Sequence, residues 1–299
     1  MFKGAVFVFL GACSFGILST FVKLAYTDGF TLGEVTGIQA FLGVLILWSL
    51  YLVSRSVYRK KSTVESDVKT PAWKVILAGC STGLVSIFYY KCVSLLPASI
   101  AIILLMQFVW IGVLLEAMLF RKRPSKQQIF AVITVLLGTC FASGLLDAEI
   151  NQLSLAGIGF GLLAALAYSF FILINGRVGN DLPSIKKSAW MITGACTLIF
   201  IIFPPAFFFN GVLFSGLIKW GIILAVFGTV IPPLFYAIGV PKTGVSLSSI
   251  LSSAELPVAV CMSYFILHET VGILRWLGVI IILFAIALPN IKFRKDRNI

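Results

Sequence analysis

Charge is scarce in this 299-residue chain, where Asp, Glu, Lys and Arg together make up only 11% of the residues. Soluble domains carry about 25%. Histidine occurs once, at His268, and the six cysteines (Cys13, Cys80, Cys92, Cys140, Cys196 and Cys261) all lie inside apolar runs. With no Cys-x-x-Cys pair and no ligand-spaced His/Cys cluster, neither a disulfide framework nor a metal site is expected. A glycine-rich phosphate loop ending in Lys and Ser/Thr is missing, which removes an ATP motor. His-Glu-x-x-His and Gly-x-Ser-x-Gly are missing as well, so no hydrolase centre is expected, no enzyme and no cofactor.

Oil is what the chain has in excess. Hydrophobic residues are 60% of it, 26 of them Phe, and the mean hydropathy is +1.06. A water-soluble core cannot hide that much apolar surface. The net charge of +12, from 23 basic against 11 acidic residues, would elsewhere suggest nucleic acid. Here the basic residues fall in short gaps between apolar runs, so the bilayer is the expected partner and nucleic acid is not.

A helix needs about 20 apolar residues to cross the hydrocarbon. Ten such stretches are present: 3–26, 31–54, 72–95, 98–119, 126–145, 154–176, 184–207, 217–238, 243–266 and 271–290. They are too long and too uniformly apolar for barrel strands. Turn chemistry sits at their ends, at Asp28-Gly29, Pro71, Pro97, Pro124, Gly179-Asn180, Pro205 and Pro241. The first stretch has no small-residue cleavage site followed by a soluble domain, so it counts as a span and not a signal peptide. Sorting basic residues by alternate gaps puts 19 on the side of the N-terminus and 4 (Lys23, Lys91, Lys219 and Arg275) on the other. That bias predicts a multi-pass protein of the cytoplasmic (cell) membrane with both termini in the cytoplasm.

The two halves, 1–150 and 151–299, read as a repeat. A shift of 147 sets Trp73 on Trp220, Thr82 on Thr229, Phe88-Tyr89 on Phe235-Tyr236, Ser99 on Ser246 and Ile103-Leu104 on Ile250-Leu251. At 148, Gln107 falls on Glu255 and Arg121 on Glu269; at 153, Gly4, Phe7, Leu10 and Ala12 fall on Gly157, Phe160, Leu163 and Ala165. Each copy has five spans, an odd number, so the second enters the membrane from the opposite face. The fold class is therefore an all-α polytopic membrane protein with ten transmembrane helices in a 5+5 inverted repeat, a build common among alternating-access carriers.

These residues resemble the drug/metabolite transporter superfamily, specifically its EamA-type ten-helix transporters, over nearly the whole chain. The resemblance rests on Val245-Ser246-Leu247, on Ser253-Ala254-Glu255-Leu256-Pro257-Val258 and on Leu267-His268-Glu269-Thr270. The first half departs from the pattern, with Gln107-Phe108-Val109 at the acidic step and Arg121 at the corner. What the resemblance implies is a secondary carrier, often an exporter, of amino acids or other small metabolites.

Glu255 is the sharpest feature. A rise of ~1.5 Å per residue from Thr243 puts it roughly 18 Å deep, where a carboxylate costs about 2.5–3.5 kcal/mol. Ser248 and Ser252 share its face. It is a candidate substrate or proton-coupling group, or a bond that holds the bundle together. Gln107 and Trp110 form the matching candidate on the fourth span. Tyr89, Tyr168, Tyr236 and Asn175 are candidate cavity walls, and Lys23 with Glu34 a candidate outer gate. Glu116 is expected in an interfacial ion pair near Arg121. Pro232-Pro233 predicts a kink that Val85-Ser86 in the other half lacks. Gly33-x3-Gly37, Gly79-x3-Gly83 and Gly157-x3-Gly161 permit close helix crossings, within one bundle or between two copies. The expected function is alternating-access transport of a small solute by a monomer or homodimer. A passive channel and a non-transporting assembly or sensor protein are the alternatives.

Overall fold

A computed structural model describes residues 2–58, 70–96, 98–121, 123–143, 154–268 and 270–288. Among them the chain is helical, with no strand. The basic stretch 59–69, Pro97, Lys122, the corner Glu269 and the C-terminal basic residues lie outside the described residues. The helices are α1 (Phe2–Thr27), α2 (Leu32–Tyr58), α3 (Ala72–Leu95), α4 (Ala98–Met106), α5 (Phe108–Phe120), α6 (Lys126–Ala142) and α7 (Leu155–Arg177). They continue as α8 (Ser184–Ile202), α9 (Leu217–Leu224), α10 (Ile231–Thr243), α11 (Val245–Ser252), α12 (Glu255–Ile266) and α13 (Ile273–Ala287). Joined end to end, α4–α5, α9–α10 and α11–α12 each make one rod. Eight rods are long and apolar enough to cross a bilayer, and the two shorter apolar helices, α6 and α13, stand at the fifth and tenth positions.

Polarity runs from the inside outward. Leu52, Val53, Leu77, Met118, Ile133 and Ile280 are more than half exposed, whereas Ser169, Ser248, Ser249 and Ser252 are fully buried. In water that would be inverted; in lipid it leaves hydroxyls among protein and alkyl chains among alkyl chains. Short local devices start the helices. Thr31 and Glu34 close a capping box on α2, Ser125 and Gln128 do so on α6, and the Ser154 hydroxyl accepts from the Gly157 N–H on α7.

The packing repeats as the sequence does. Helix α3 packs on α7 and α8; its counterpart, the α9–α10 rod, packs on α1 and α2. Spans related by the repeat also meet each other, α2 against α8 and α6 against α13. Both pairs cross antiparallel. Along α2, Gly33, Gly37 and Gly43 lie in turn against Phe203, Phe200 and Ile192, and the end of α6 at Ala142 meets the start of α13 at Gly278 and Arg275. Counterparts that run in opposite directions are the signature of an inverted repeat. Arg121 (φ 53°) and His268 (φ 52°) add to it: they are the non-glycine residues of positive φ among the described residues, and 147 positions separate them. All three glycine pairs make their crossings inside this one bundle.

Several expected boundaries move. The fourth span breaks at Gln107, the ninth at Ser253-Ala254, and the seventh ends at Ile202, followed by 3-10 turns at Ala206–Phe208 and Val212–Phe214. Pro241 was expected to end the eighth span but remains inside α10, and the turn falls at Gly244, whose φ of 84° suits a residue without Cβ. The predicted distortion before Pro232-Pro233 is a π-helical segment, Ala225–Val230.

Gly79 and Gly194 set the closest approach in the core. A Cβ on Gly79 would fall on the Met191 carbonyl, and one on Gly194 on the Ile76 carbonyl. Gly79→Ala should therefore cost about 1–3 kcal/mol through overpacking, read as a lowered unfolding temperature in detergent. Gly159, whose Cβ would meet open space, is the control: Gly159→Ala should leave that temperature unchanged or raise it.

Candidate functional site

The helix breaks build the site. Pro257 has no N–H to return to the Ser253 carbonyl, so the Leu256 N–H takes it at 3.2 Å. Ser253 and Ala254 N–H groups in turn bond Ile250 and Leu251 carbonyls at 3.2 Å, a tightened turn that ends α11. Glu255 becomes the first residue of α12, where the helix dipole favours a carboxylate. It is 6% exposed, and its Oε2 has no hydrogen-bond partner. The side chains of Tyr168 on α7 and Tyr89 on α3 stand near this carboxyl. Gly16 lets α1 run against the Glu255 carbonyl.

A line of hydroxyls leads away from this carboxyl. Tyr168 and Tyr236 share a hydrogen bond of 3.1 Å, and Tyr236 shares one of 2.6 Å with Ser252. Ser252 donates to the Ser248 carbonyl at 2.8 Å. Ser248 shares a 2.7 Å bond with Thr243 and donates to the Gly244 carbonyl, reaching the α10–α11 turn. Phe15, Phe108 and Phe171 pack edge-on or tilted around the two tyrosines. Glu255, Tyr168, Tyr236, Tyr89, Ser252 and Ser248 thus come together.

On the other side of Tyr168 lies a narrow cavity of about 20 Å³, enough for a water or two at ~10–15 Å³ each. Its polar wall consists of Thr36, Gln39, Thr82, Ser86, Tyr168 and Thr229. Gln39 accepts from the Tyr90 hydroxyl at 2.9 Å. Thr82 and Thr229 hydroxyls are buried without a partner. Thr229 belongs to the π segment. There Pro232 and Pro233 deprive the Gly228 carbonyl of donors at i+4 and i+5, and Ser14 bonds the Phe227 carbonyl at 2.7 Å.

The remaining candidates stand apart. Gln107 serves its own helix: its N–H bonds the Leu104 carbonyl, and its side-chain Nε2 takes the Ile103 carbonyl thereby left over, at 3.0 Å. Its Oε1 accepts from Trp110, which is 40% exposed on the outer face. Neither lines the cavity. Asn175 is buried near the end of α7, where its backbone carbonyl accepts from Lys187 at 2.7 Å. Lys187, counted from sequence among the interfacial positive charges, is 1% exposed and also donates to Asn180 at 2.8 Å. Glu34 is engaged by Thr31 in its capping box, and Lys23 is exposed at the end of α1.

Both halves of the chain match the EamA-like transporter family, over residues 2–144 and 155–291. The chain belongs to the EamA-like transporter family. Two relatives of this EamA protein are named uncharacterized transporters. YcbK of Bacillus subtilis (strain 168) is 25% identical over 285 residues, covering 92% of this chain and 88% of its own. The protein sll1319 of Synechocystis sp. is 24% identical over 315 residues, covering 96% and 93%. A solved crystal structure shares the fold with a TM-score of 0.71 at 17% identity, over 95% of this chain and 98% of that one. The EamA chain is thus a multi-pass membrane protein of a transporter family.

Sequence reasoning missed Thr36, Gln39, Thr82, Ser86 and Thr229 as wall residues of the EamA cavity. The signal was available for one pair, since Thr82 aligns with Thr229 in the repeat, but a threonine match in an apolar helix is common.

Glu116 was expected in an ion pair at the membrane surface. It is 3% exposed and accepts from the backbone N–H of Ser246, at 2.8 Å, and from its hydroxyl. The reason is local: α11 begins just after Gly244, and its first N–H groups have no helical acceptor. Glu116→Ala should cost about 3 kcal/mol or more by orphaning these buried donors, measured as a fall in unfolding temperature well beyond that of Glu34→Ala.

Proposed function

We propose that this chain is a secondary active carrier that moves a small polar metabolite through the cavity beside Tyr168 by alternating access, with Glu255 as its proton-coupling group. The two five-span halves, 1–150 and 151–299, are the moving units, and both termini are cytoplasmic. Export of amino acids or related amphipathic solutes is the use that the family resemblance suggests. The observation that carries the reading is a buried carboxyl at a helix break, one phenol away from a polar cavity.

Proton arithmetic supports the role of Glu255. A hydroxyl donates one proton. Ser252 gives its own to the Ser248 carbonyl, so Tyr236 donates to Ser252 and Tyr168 to Tyr236. Tyr168, committed to Tyr236, then offers Glu255 only its lone pairs, which a protonated carboxyl could meet with a hydrogen bond. Losing that proton would reverse the direction of the chain, which links the carboxyl to α7 and α10.

Alternation needs a breakable contact at each end, and equivalent aspartates supply one. Asp28, between α1 and α2, accepts from Trp220 Nε1 at 2.9 Å at the start of the eighth span. Asp181, 153 positions later and between α7 and α8, accepts from the N–H of Thr70 at 2.8 Å and from its hydroxyl, just before the third span. Each half grips the other at opposite ends. With both latches closed the cavity has room for only a water or two, which fits an occluded state.

Glu255→Gln keeps a donor for Tyr168 while removing the titration. In proteoliposomes, it should retain solute exchange and lose acceleration by a pH gradient; gradient-driven uptake equal to that of the wild type would exclude the coupling role. The latches predict opposite sidedness. In a background lacking native cysteines, with Ser86→Cys in the cavity wall, Asp28→Ala should raise labelling by an impermeant maleimide from the outer side only. Asp181→Ala should raise it from the inner side only. Equal labelling from both sides in both variants would refute the latches.

A further inference from the structure

Threonines inside helices ordinarily return their hydroxyl to the carbonyl four residues back. Thr134, Thr139, Thr193 and Thr197 all do so here, at 2.8 Å. Thr82 and Thr229 do not. They are 7% and 5% exposed, their hydroxyls have no partner, and both line the cavity. Buried hydroxyls left unbonded are disfavoured, yet this pair occurs at positions equivalent under the 147-residue shift, one in α3 and one in the π segment of the eighth rod. Thr229 turns its Cβ and methyl to Gly43 of α2.

We propose that Thr82 and Thr229 form a paired hydroxyl site that grips an uncharged hydrogen-bonding group of the transported solute, such as a hydroxyl or a neutral amide, one threonine from each half. The inference rests on the carrier reading and narrows its substrate to uncharged metabolites, away from the amino acids that the family resemblance suggests. Three observations lead to an uncharged group. The lining holds no Lys, Arg, His, Asp or Glu, so an ionic head would enter without a counter-charge, which a dry site does not tolerate. A threonine hydroxyl both donates and accepts, as a solute hydroxyl or amide requires. Gln39 keeps an amide nitrogen beside Gly228 in the same wall, giving a further neutral donor. A group held between equivalent residues of two inverted halves sits at their junction and can be passed from one grip to the other as the halves rock.

Valine has the shape of threonine without the hydroxyl, so it separates binding from packing. Proteoliposomes are tested with radiolabelled uridine, D-ribose, myo-inositol and nicotinamide as uncharged probes, and with L-lysine, L-glutamate and putrescine as charged ones. At least one uncharged probe should show saturable flux. The Thr82→Val/Thr229→Val double variant should raise its half-saturation concentration roughly 5- to 10-fold or more, while its unfolding temperature stays at or above that of the wild type. Thr82→Ser/Thr229→Ser should restore the affinity. Unchanged half-saturation with raised stability would overturn the proposal, because the hydroxyls would then be idle or hold only water. Saturable flux confined to charged probes would overturn it and leave the carrier standing. No saturable flux with any probe would remove both.

Discussion

Every backbone N–H and C=O that lies in hydrocarbon has to find its partner within the protein, because lipid offers none. Among the described residues, three departures from the α-helix within the apolar rods show how the chain answers this demand. At Gln107 the side-chain amide takes the carbonyl that the backbone leaves. At Ser253-Ala254 three-residue turns replace the bonds that Pro257 cannot make. Before Pro232-Pro233 the chain widens into a π turn, and Ser14 reaches from α1 to the Phe227 carbonyl. Irregular backbone is tolerated at such depth where it is enclosed by protein, and two of the three breaks supply the polar groups of the candidate site.

The duplicated halves share a frame but differ in chemistry at its key points. The same step of the repeat holds a self-contained Gln107 in one copy and a buried Glu255 in the other. The same stretch of the third and eighth spans is regular around Val85-Ser86 and π-helical before Pro232-Pro233. Symmetry thus provides two equivalent crossings and two equivalent end contacts, while the departures from it confine the ionisable group to one half.

Much of this was legible in the residues. Span count, the repeat, the helix distortion near the double proline and the depth of Glu255 all follow from hydropathy and offset. Gln107 was not legible in the same way. A glutamine halfway down a span looks like a cavity residue, and nothing local announces that its amide repairs its own helix and shares its oxygen with an outward tryptophan. The contact of Glu116 with Ser246 was hidden for a similar reason, since the two lie 130 residues apart. Thr82 and Thr229 were aligned by the repeat, but their missing hydrogen bonds are visible only once every neighbour has a place.

The sequence by itself determined the medium, the number of crossings and the opposite sense of the two halves, because hydrophobic length, charge placement and an odd span count are properties of the chain alone. Tertiary structure decided which polar groups meet, since partners such as those 68 and 192 residues apart are chosen by helix contacts that no local pattern encodes. It put Asp28 beside Trp220, drew Tyr168 between Glu255 and Tyr236, and left two equivalent threonines without partners in the wall of one small cavity.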